Sequence, residues 1–207
     1  GADALYVGAP RFGARSAAGV SEEEIVRLCD LAHRFGAKVY VAMNTLLYEQ
    51  ELADAERIAC RMWNAGADAL IVQDMAFLRM ELPPIELHAS TQVCNTDPQR
   101  VRFLSEAGFT RVILERALSL GEIGRLSRAA DVEIETFVHG AICVSYSGRC
   151  YMSRTMGPRS GNRGDCSQSC RLPYDLLDDR MRPLERNRHL LSLQDMNATG
   201  QIEELIG

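Results

Sequence analysis

The sequence predicts an α/β fold: a (β/α)8 barrel of the TIM type that lacks its first strand and its C-terminal end and carries a cysteine-rich insertion after a late strand. Three observations carry this reading. A glycine followed by a short apolar run recurs as Gly1-Ala2-Asp3-Ala4-Leu5-Tyr6-Val7, Gly36-Ala37-Lys38-Val39-Tyr40-Val41, Gly66-Ala67-Asp68-Ala69-Leu70-Ile71-Val72 and Gly108-Phe109-Thr110-Arg111-Val112-Ile113-Leu114. Each run is continuous instead of alternating, as strands buried on both faces require. Between the runs lie amphipathic segments with helix start signals, so strands and helices alternate as they do in a barrel.

The elements follow in order. Ser21 with Glu24 forms a capping box ahead of Ile25, Leu28 and Ala32, which line one helix face. Leu52, Ala55, Ile58, Ala59 and Met62 make the stripe of a second helix that ends at Gly66. Asp97 before Pro98 reads as an N-cap with proline at the first helical position, and that helix runs to Gly108. Ser119 with Glu122 repeats the capping box before Ile123 and Leu126. Each repeat glycine stands where a helix C-terminus favours a left-handed residue. Cys29, Cys60 and Trp63 fall on these helices and read as core. Further strands are predicted at Ile85–Ala89, Val132–Val138 and Leu190–Leu193, giving about seven strands, one short of a closed barrel. The segment from Leu172 to Arg188 reads as a hairpin or surface excursion, and a partial helix closes the chain near Ile202. An open doubly wound sheet is the alternative, but no G-x-G-x-x-G follows an early strand.

Barrel enzymes place their chemistry just after the strands. Here those positions hold Asn44, Gln73 and Asp74, then His88, Ser90, Thr91 and Gln92, then Glu115 and Arg116, then His139. From these, His88, Gln92, Glu115 and His139 are candidate catalytic residues, and Asn44 and Ser90 candidate substrate contacts. The ordinary alternative for His88 is a buried structural histidine. Cys94, close to the His88–Gln92 run, reads as a buried thiol, with a spare ligand as the alternative.

Residues 139–173 form a distinct segment within a single partial barrel domain spanning 1–207. Four of the seven cysteines lie here as C-x6-C-x15-C-x3-C: Cys143, Cys150, Cys166 and Cys170. Glycines, serines and arginines separate them, with few aliphatic residues to bury a packed element. Four thiolates on a metal centre would hold such a loop in place of hydrophobic contacts. The spacing is neither that of a zinc ribbon nor that of a ferredoxin, and it leaves zinc and iron-sulfur both open. Structural disulfides are disfavoured, because no export signal is present and the cysteine count is odd, which points to a reducing, cytoplasmic setting.

Composition is ordinary for a globular protein: 46% hydrophobic and 25% charged, with a formal net charge of -5. No apolar run is long enough to span a membrane. The cysteine segment is nonetheless basic, with Arg149, Arg154, Arg159, Arg163 and Arg171 against the single acid Asp165 between Gly140 and Pro173. Arginine replaces lysine almost throughout the chain, so codon bias accounts for the choice of arginine but not for the scarcity of acids. A face that binds phosphate or carboxylate is the reading of that imbalance.

The run ETFVHGAICVSYSGRCYMS, Glu135 to Ser153, resembles without a gap the signature of the collagenase-like peptidases of unknown catalytic type, family U32. The resemblance extends along the chain through GAPRFGAR, ALIVQDM, PPIELHASTQ, NRGDCSQSCRLPYDL and HLLSLQDM. These runs look most like the branch that makes 5-hydroxycytidine in 23S ribosomal RNA, and somewhat less like the branch that hydroxylates a tRNA uridine. The resemblance implies oxygen-independent hydroxylation of an RNA pyrimidine. It further implies a 4Fe-4S cluster on Cys143, Cys150, Cys166 and Cys170, and prephenate, a small carboxylate co-substrate, as the source of the hydroxyl group. Arg149 and Arg163 are assigned, from charge alone, to co-substrate carboxylates or RNA phosphates. Against the peptidase activity in the family name, the sequence has neither an H-E-x-x-H zinc site nor a G-x-S-x-G elbow. Peptide hydrolysis by an unrecognised mechanism stands as the alternative function, and a zinc-stapled RNA-binding module as the non-enzymatic one.

Overall fold

The structure is a computed structural model and describes residues 1–206. Six parallel strands form one sheet in strict sequence order: β1 (Ala4–Gly8), β2 (Lys38–Met43), β3 (Ala69–Val72), β4 (Glu86–Ala89), β5 (Arg111–Ile113) and β6 (Glu133–Glu135). Each new strand adds beside the last, with registers such as Tyr40↔Ala69 and Ile71↔His88. A doubly wound sheet reverses its order at a switch point. This one never does, so the sheet curls as a half-barrel, and the open alternative falls away.

The helices form for the reasons the sequence offers. Helix α1 (Glu22–Arg34) starts at a capping box in which Ser21 Oγ accepts from Glu24 N at 3.3 Å and Ser21 N donates to Glu24 Oε2 at 3.0 Å. Helix α2 (Leu52–Asn64) buries the stripe of Ala55, Ile58, Ala59 and Met62. Helix α3 (Pro98–Glu106) has Asp97 accepting from Arg100 N at 2.9 Å, and α4 (Leu120–Ser127) repeats the box with Ser119 and Glu122. The chain leaves these helices through Gly36, Gly66 and Gly108 at φ 72°, 94° and 102°, as the repeat implied.

The sheet has two unlike faces. Val39, Val41, Met43, Leu70, Val72, Val112 and Leu114 pack under the helices with Ile25, Ile58 and Leu104 in the main core. The concave face carries a smaller cluster of Tyr40, Ala42, Ala69, Ile71 and Ile113, against which Ala4 and Phe137 pack. Period-two alternation therefore aims the residues that follow the concave-facing ones, Asn44, Gln73, Ser90 and Glu115, at the mouth of the half-barrel.

After β6 the chain becomes irregular. A two-residue strand β7 (His139–Gly140) precedes the cysteine segment, which includes the short helix α5 (Met152–Met156). The expected hairpin forms from β8 (Tyr174–Leu177) and β9 (Pro183–Arg188). Leu190–Leu193, expected as a strand, is not one: Leu190, Leu191 and Leu193 lie exposed in turn and irregular structure, without a neighbouring strand to pair with. The pairing falls further on, where β10 (Met196–Asn197) runs antiparallel to β7. Helix α6 (Ile202–Ile206) follows. No described helix is long and apolar enough to cross a membrane.

Candidate functional site

The mouth is lined by a connected set of polar side chains. Buried Asn44 donates from Nδ2 to Ser90 Oγ at 3.0 Å and to the Tyr6 hydroxyl at 3.2 Å, while its Oδ1 accepts from Ala14 N at 2.8 Å. Gln73 Nε2 donates to the Gln92 carbonyl at 3.1 Å, and Gln73 Oε1 is buried without a partner among the described residues. Asn44 and Ser90 thus stand together where the sequence placed them. Gln92 contributes its backbone carbonyl, and among the described residues no hydrogen bond engages its side chain.

His88 lies one layer deeper. Its ring is fully buried and meets Tyr40 edge-on, with centroids 4.6 Å apart and an interplanar angle of 78°. Nε2 is 3.4 Å from Glu86 Oε2, and Nδ1 has no partner. Burial pushes its pKa down, because charging the ring there costs solvation, and the Arg111 guanidinium acts in the same direction against Glu86. Arg111 itself is neutralised: it bonds Glu133 at 3.0 Å through Nε, Glu135 at 3.0 Å, and covers the Tyr40 ring at 5.0 Å. His88 is therefore a packed residue on the concave face of the half-barrel and does not reach the mouth.

The cysteine segment is clamped over that mouth from several sides. Glu115, buried after β5, accepts from Ser147 N at 2.6 Å and from Ser147 Oγ at 3.1 Å. Gly148, at φ 69°, lies so close to the β4 loop that a Cβ would overlap the Gln92 carbonyl and stand 2.7 Å from Gln73 Nε2. Arg163 bonds Glu51 at 2.6 Å and the Leu46 carbonyl, and stacks over Tyr48 at 4.2 Å. That guanidinium is spent on fastening the segment to the loop after β2, so the anion-binding role assigned from charge has no free donor fork here. Arg171 braces the far end through the carbonyls of Ile142 and Leu193. Arg149 is exposed and its side chain has no hydrogen bond or ion pair among the described residues, while His139 sits exposed in β7.

Cys143 and Cys166 are exposed, and Cys150 and Cys170 half-buried. Burial raises the Cys170 thiol pKa, and Cys143 raises it further, with Cys166 and Cys150 adding to this and Arg171 opposing. Yet among the described residues no three His, Cys, Asp or Glu side chains come together as a single-ion site, which would need sulfurs about 2.3 Å from one centre. In their chemistry, though not in their arrangement here, four thiols are the donor type that an iron-sulfur cluster takes. The Cys166 sulfur accepts from Gln168 N at 3.4 Å and from buried Ser153 Oγ at 3.9 Å. Ser153 is held in turn by Ser167, and Ser167 by Ser169. Cys94, by contrast, is buried in a left-handed conformation at φ 66°.

Ser147 and Ser153 hold the loop, as hydroxyls set among the cysteines lead one to expect, whereas sequence reasoning missed Gly148 as a positioning residue. Its only sequence signal is that small residues alternate with cysteines in a loop with nothing apolar to pack.

Across residues 1–207 the chain matches the family model described as Peptidase family U32. The chain belongs to peptidase family U32. Among its U32 relatives, the 23S rRNA 5-hydroxycytidine C2501 synthase of Escherichia coli is 50% identical over 206 residues, covering all of this chain and 32% of that protein. The tRNA hydroxylation protein P1 of Bacillus subtilis is 39% identical over 180 residues, covering 85% of this chain and 43% of its own length. This U32 chain thus spans less than half the length of either. A solved U32 peptidase structure superposes with a TM-score of 0.57 at 17% identity, over 68% of this chain and 62% of that one, which supports the shared fold. Nothing in the site resembles the catalytic machinery of a serine peptidase. Ser147 is bound to Glu115, Ser153 to Cys166, and Ser145 to a neighbouring carbonyl, none of them to a histidine.

Proposed function

We propose that the protein hydroxylates an RNA pyrimidine without oxygen, forming 5-hydroxycytidine in 23S ribosomal RNA, with a 4Fe-4S cluster on Cys143, Cys150, Cys166 and Cys170 and prephenate as the hydroxyl source. The observation that carries this reading is identity at half of 206 positions to an enzyme named for that product. On this reading the six strands belong to an eight-stranded barrel, and the cysteine segment is the lid of its catalytic face. The cluster would supply one-electron chemistry that no side chain here offers.

The chain's own residues do the rest. Glu115, Gly148 and Arg163 fix the thiols above the mouth. Asn44, its amide committed to Ser90, Tyr6 and Ala14, stiffens the wall of the mouth, where the unpaired Gln73 Oε1 is an acceptor suited to the edge of a base turned out of its stack. Exposed Arg149 and Arg154 present cation to the phosphate backbone, which makes binding salt-dependent.

The test is nucleoside analysis of ribosomal RNA from a strain deleted for the gene. Loss of 5-hydroxycytidine, restored by the wild-type protein and not by Cys166→Ala, supports the proposal. Unchanged modification in the deletion strain sinks it. The identity to tRNA hydroxylation proteins favours a second reading, tRNA uridine hydroxylation, and the same analysis applied to tRNA decides between the two.

A further inference from the structure

The fold holds the Gln73 amide in one orientation. Gln73 lies just past β3, two residues beyond the concave-facing Ile71, and is only 7% exposed. Its Nε2 donates to the Gln92 carbonyl at 3.1 Å. Turning the amide over would set Oε1 against that carbonyl, acceptor against acceptor, so the nitrogen stays on the Gln92 side. The oxygen is left as a buried acceptor without a partner among the described residues. Such an atom costs free energy until a donor reaches it. The corresponding amide after β2 differs: Asn44 Oδ1 is taken by Ala14 N, and its Nδ2 by Ser90 and Tyr6. Asn95 Oδ1 is also unpartnered, but Asn95 is wholly buried, tying together the carbonyls of Ser90 and Ile113.

The fixed orientation decides what the oxygen can read. Cytosine carries an amino donor on carbon four, where uracil carries a carbonyl acceptor. Carbon four neighbours carbon five, the carbon that the proposed reaction hydroxylates, so its substituent meets the wall beside the reacting atom. A donor there satisfies Gln73 Oε1. A carbonyl there leaves the oxygen unpaired and brings a second acceptor against it. Uracil's own donor, N3–H, lies on the far side of carbon four from carbon five. The cysteine loop meets the same amide through a glycine, since a Cβ on Gly148 would stand 2.7 Å from Gln73 Nε2.

We propose that Gln73 is the specificity-determining residue of the mouth: its fixed acceptor takes the 4-amino group of a cytosine and disfavours uracil, with the cysteine loop lifting at Gly148 to admit the base. The assignment rests on the hydroxylase reading for the position of the reacting carbon, and it favours the cytidine product over the uridine one.

The experiment is equilibrium binding of the purified protein to short single-stranded RNAs that are purine throughout except for one central cytidine or uridine. The cytidine strand is expected to bind about tenfold more tightly than the uridine strand. Gln73→Met, which keeps the length of the side chain and removes the acceptor, is expected to abolish that ratio without weakening the uridine strand. A merely structural role for Gln73 would weaken both strands together. A cytidine preference that survives Gln73→Met overturns the proposal, as does wild-type binding that ignores the base or prefers uridine. Should Gln73→Met fail to fold, the unaltered protein decides with a strand carrying a pyrimidin-2-one riboside, which has hydrogen in place of the amino group. Affinity reduced to that of the uridine strand supports the assignment, and affinity equal to that of the cytidine strand overturns it. The hydroxylase reading fails by a different result: discrimination through Gln73 in a protein whose deletion leaves RNA unmodified would keep the base contact and remove the reaction, whereas a protein that binds neither strand loses both.

Discussion

The Glu115 carboxylate, just past the end of β5, accepts the backbone N–H of Ser147 at 2.6 Å, between two of the four cysteines of the loop above it. This bond joins scaffold to site. It is charge-assisted and buried on the Glu115 side, so it belongs to the stronger class of hydrogen bonds. Glu115→Ala should cost about 2 kcal/mol of loop docking, while the half-barrel beneath melts nearly as before. Hydrogen exchange at Ser147 and its neighbours checks this. Faster exchange confined to residues 141–150 is expected, and uniform loosening of the sheet would show Glu115 to be a plain core residue.

Gly148 tests the same interface by shape. An added Cβ must displace the Gln92 carbonyl, which is backbone and cannot swing aside, at a position that is also left-handed at φ 69°. Gly148→Ala should lift the loop from the mouth at a cost of about 1–3 kcal/mol and lower the metal content of the purified protein. Alanine at Gly36, where the φ is also positive at 72° but nothing lies within 4 Å, should leave metal content unchanged. Equal metal loss in both variants would mean that backbone strain, not the close approach, governs the loop.

Much of this architecture was legible because the signals are local. The capping boxes at Ser21 and Ser119, the proline after Asp97 and the glycine-led apolar runs each act within a few residues, and the helices and strands form where they point. Leu190–Leu193 misled because an apolar run becomes a strand only with a partner edge, which is a nonlocal condition. The site divides in the same way. Strand alternation put Asn44 and Ser90 at the mouth, but the same alternation with a two-residue step leaves His88 one layer down, sealed against Tyr40. Arg163 looked like an anion receptor because its acid, Glu51, is far away in sequence and adjacent only in the fold.

His88 gives a pH signature. Burial holds its folded pKa below the ordinary histidine value near 6.5, so between the two values the unfolded chain binds the extra proton. Stability should therefore fall as pH drops through about 6.5, and level off below the folded pKa. Urea midpoints at successive pH values would show this, and the slope in that window should shrink in His88→Gln. Identical slopes in both proteins would mean that His88 charges freely in the folded state.

The cysteines should divide into two chemical classes. Cys143 and Cys166 are exposed, whereas burial, reinforced by Asp68 and Asp30, pushes the Cys29 thiol up to about 11 from 9.0. Two pKa units leave Cys29 roughly a hundredfold less thiolate near pH 8, before any loss of access is counted. In the protein as purified without oxygen, a group bound on the four loop cysteines would shield them from iodoacetamide. After its removal by a chelator, Cys143 and Cys166 should alkylate first, Cys150 and Cys170 next, and Cys29 and Cys94 only on unfolding. Mass spectrometry of the labelled peptides reads the order directly. Loop cysteines that label equally fast before and after chelation would show that they hold nothing, and the redox reading of the site would go with them.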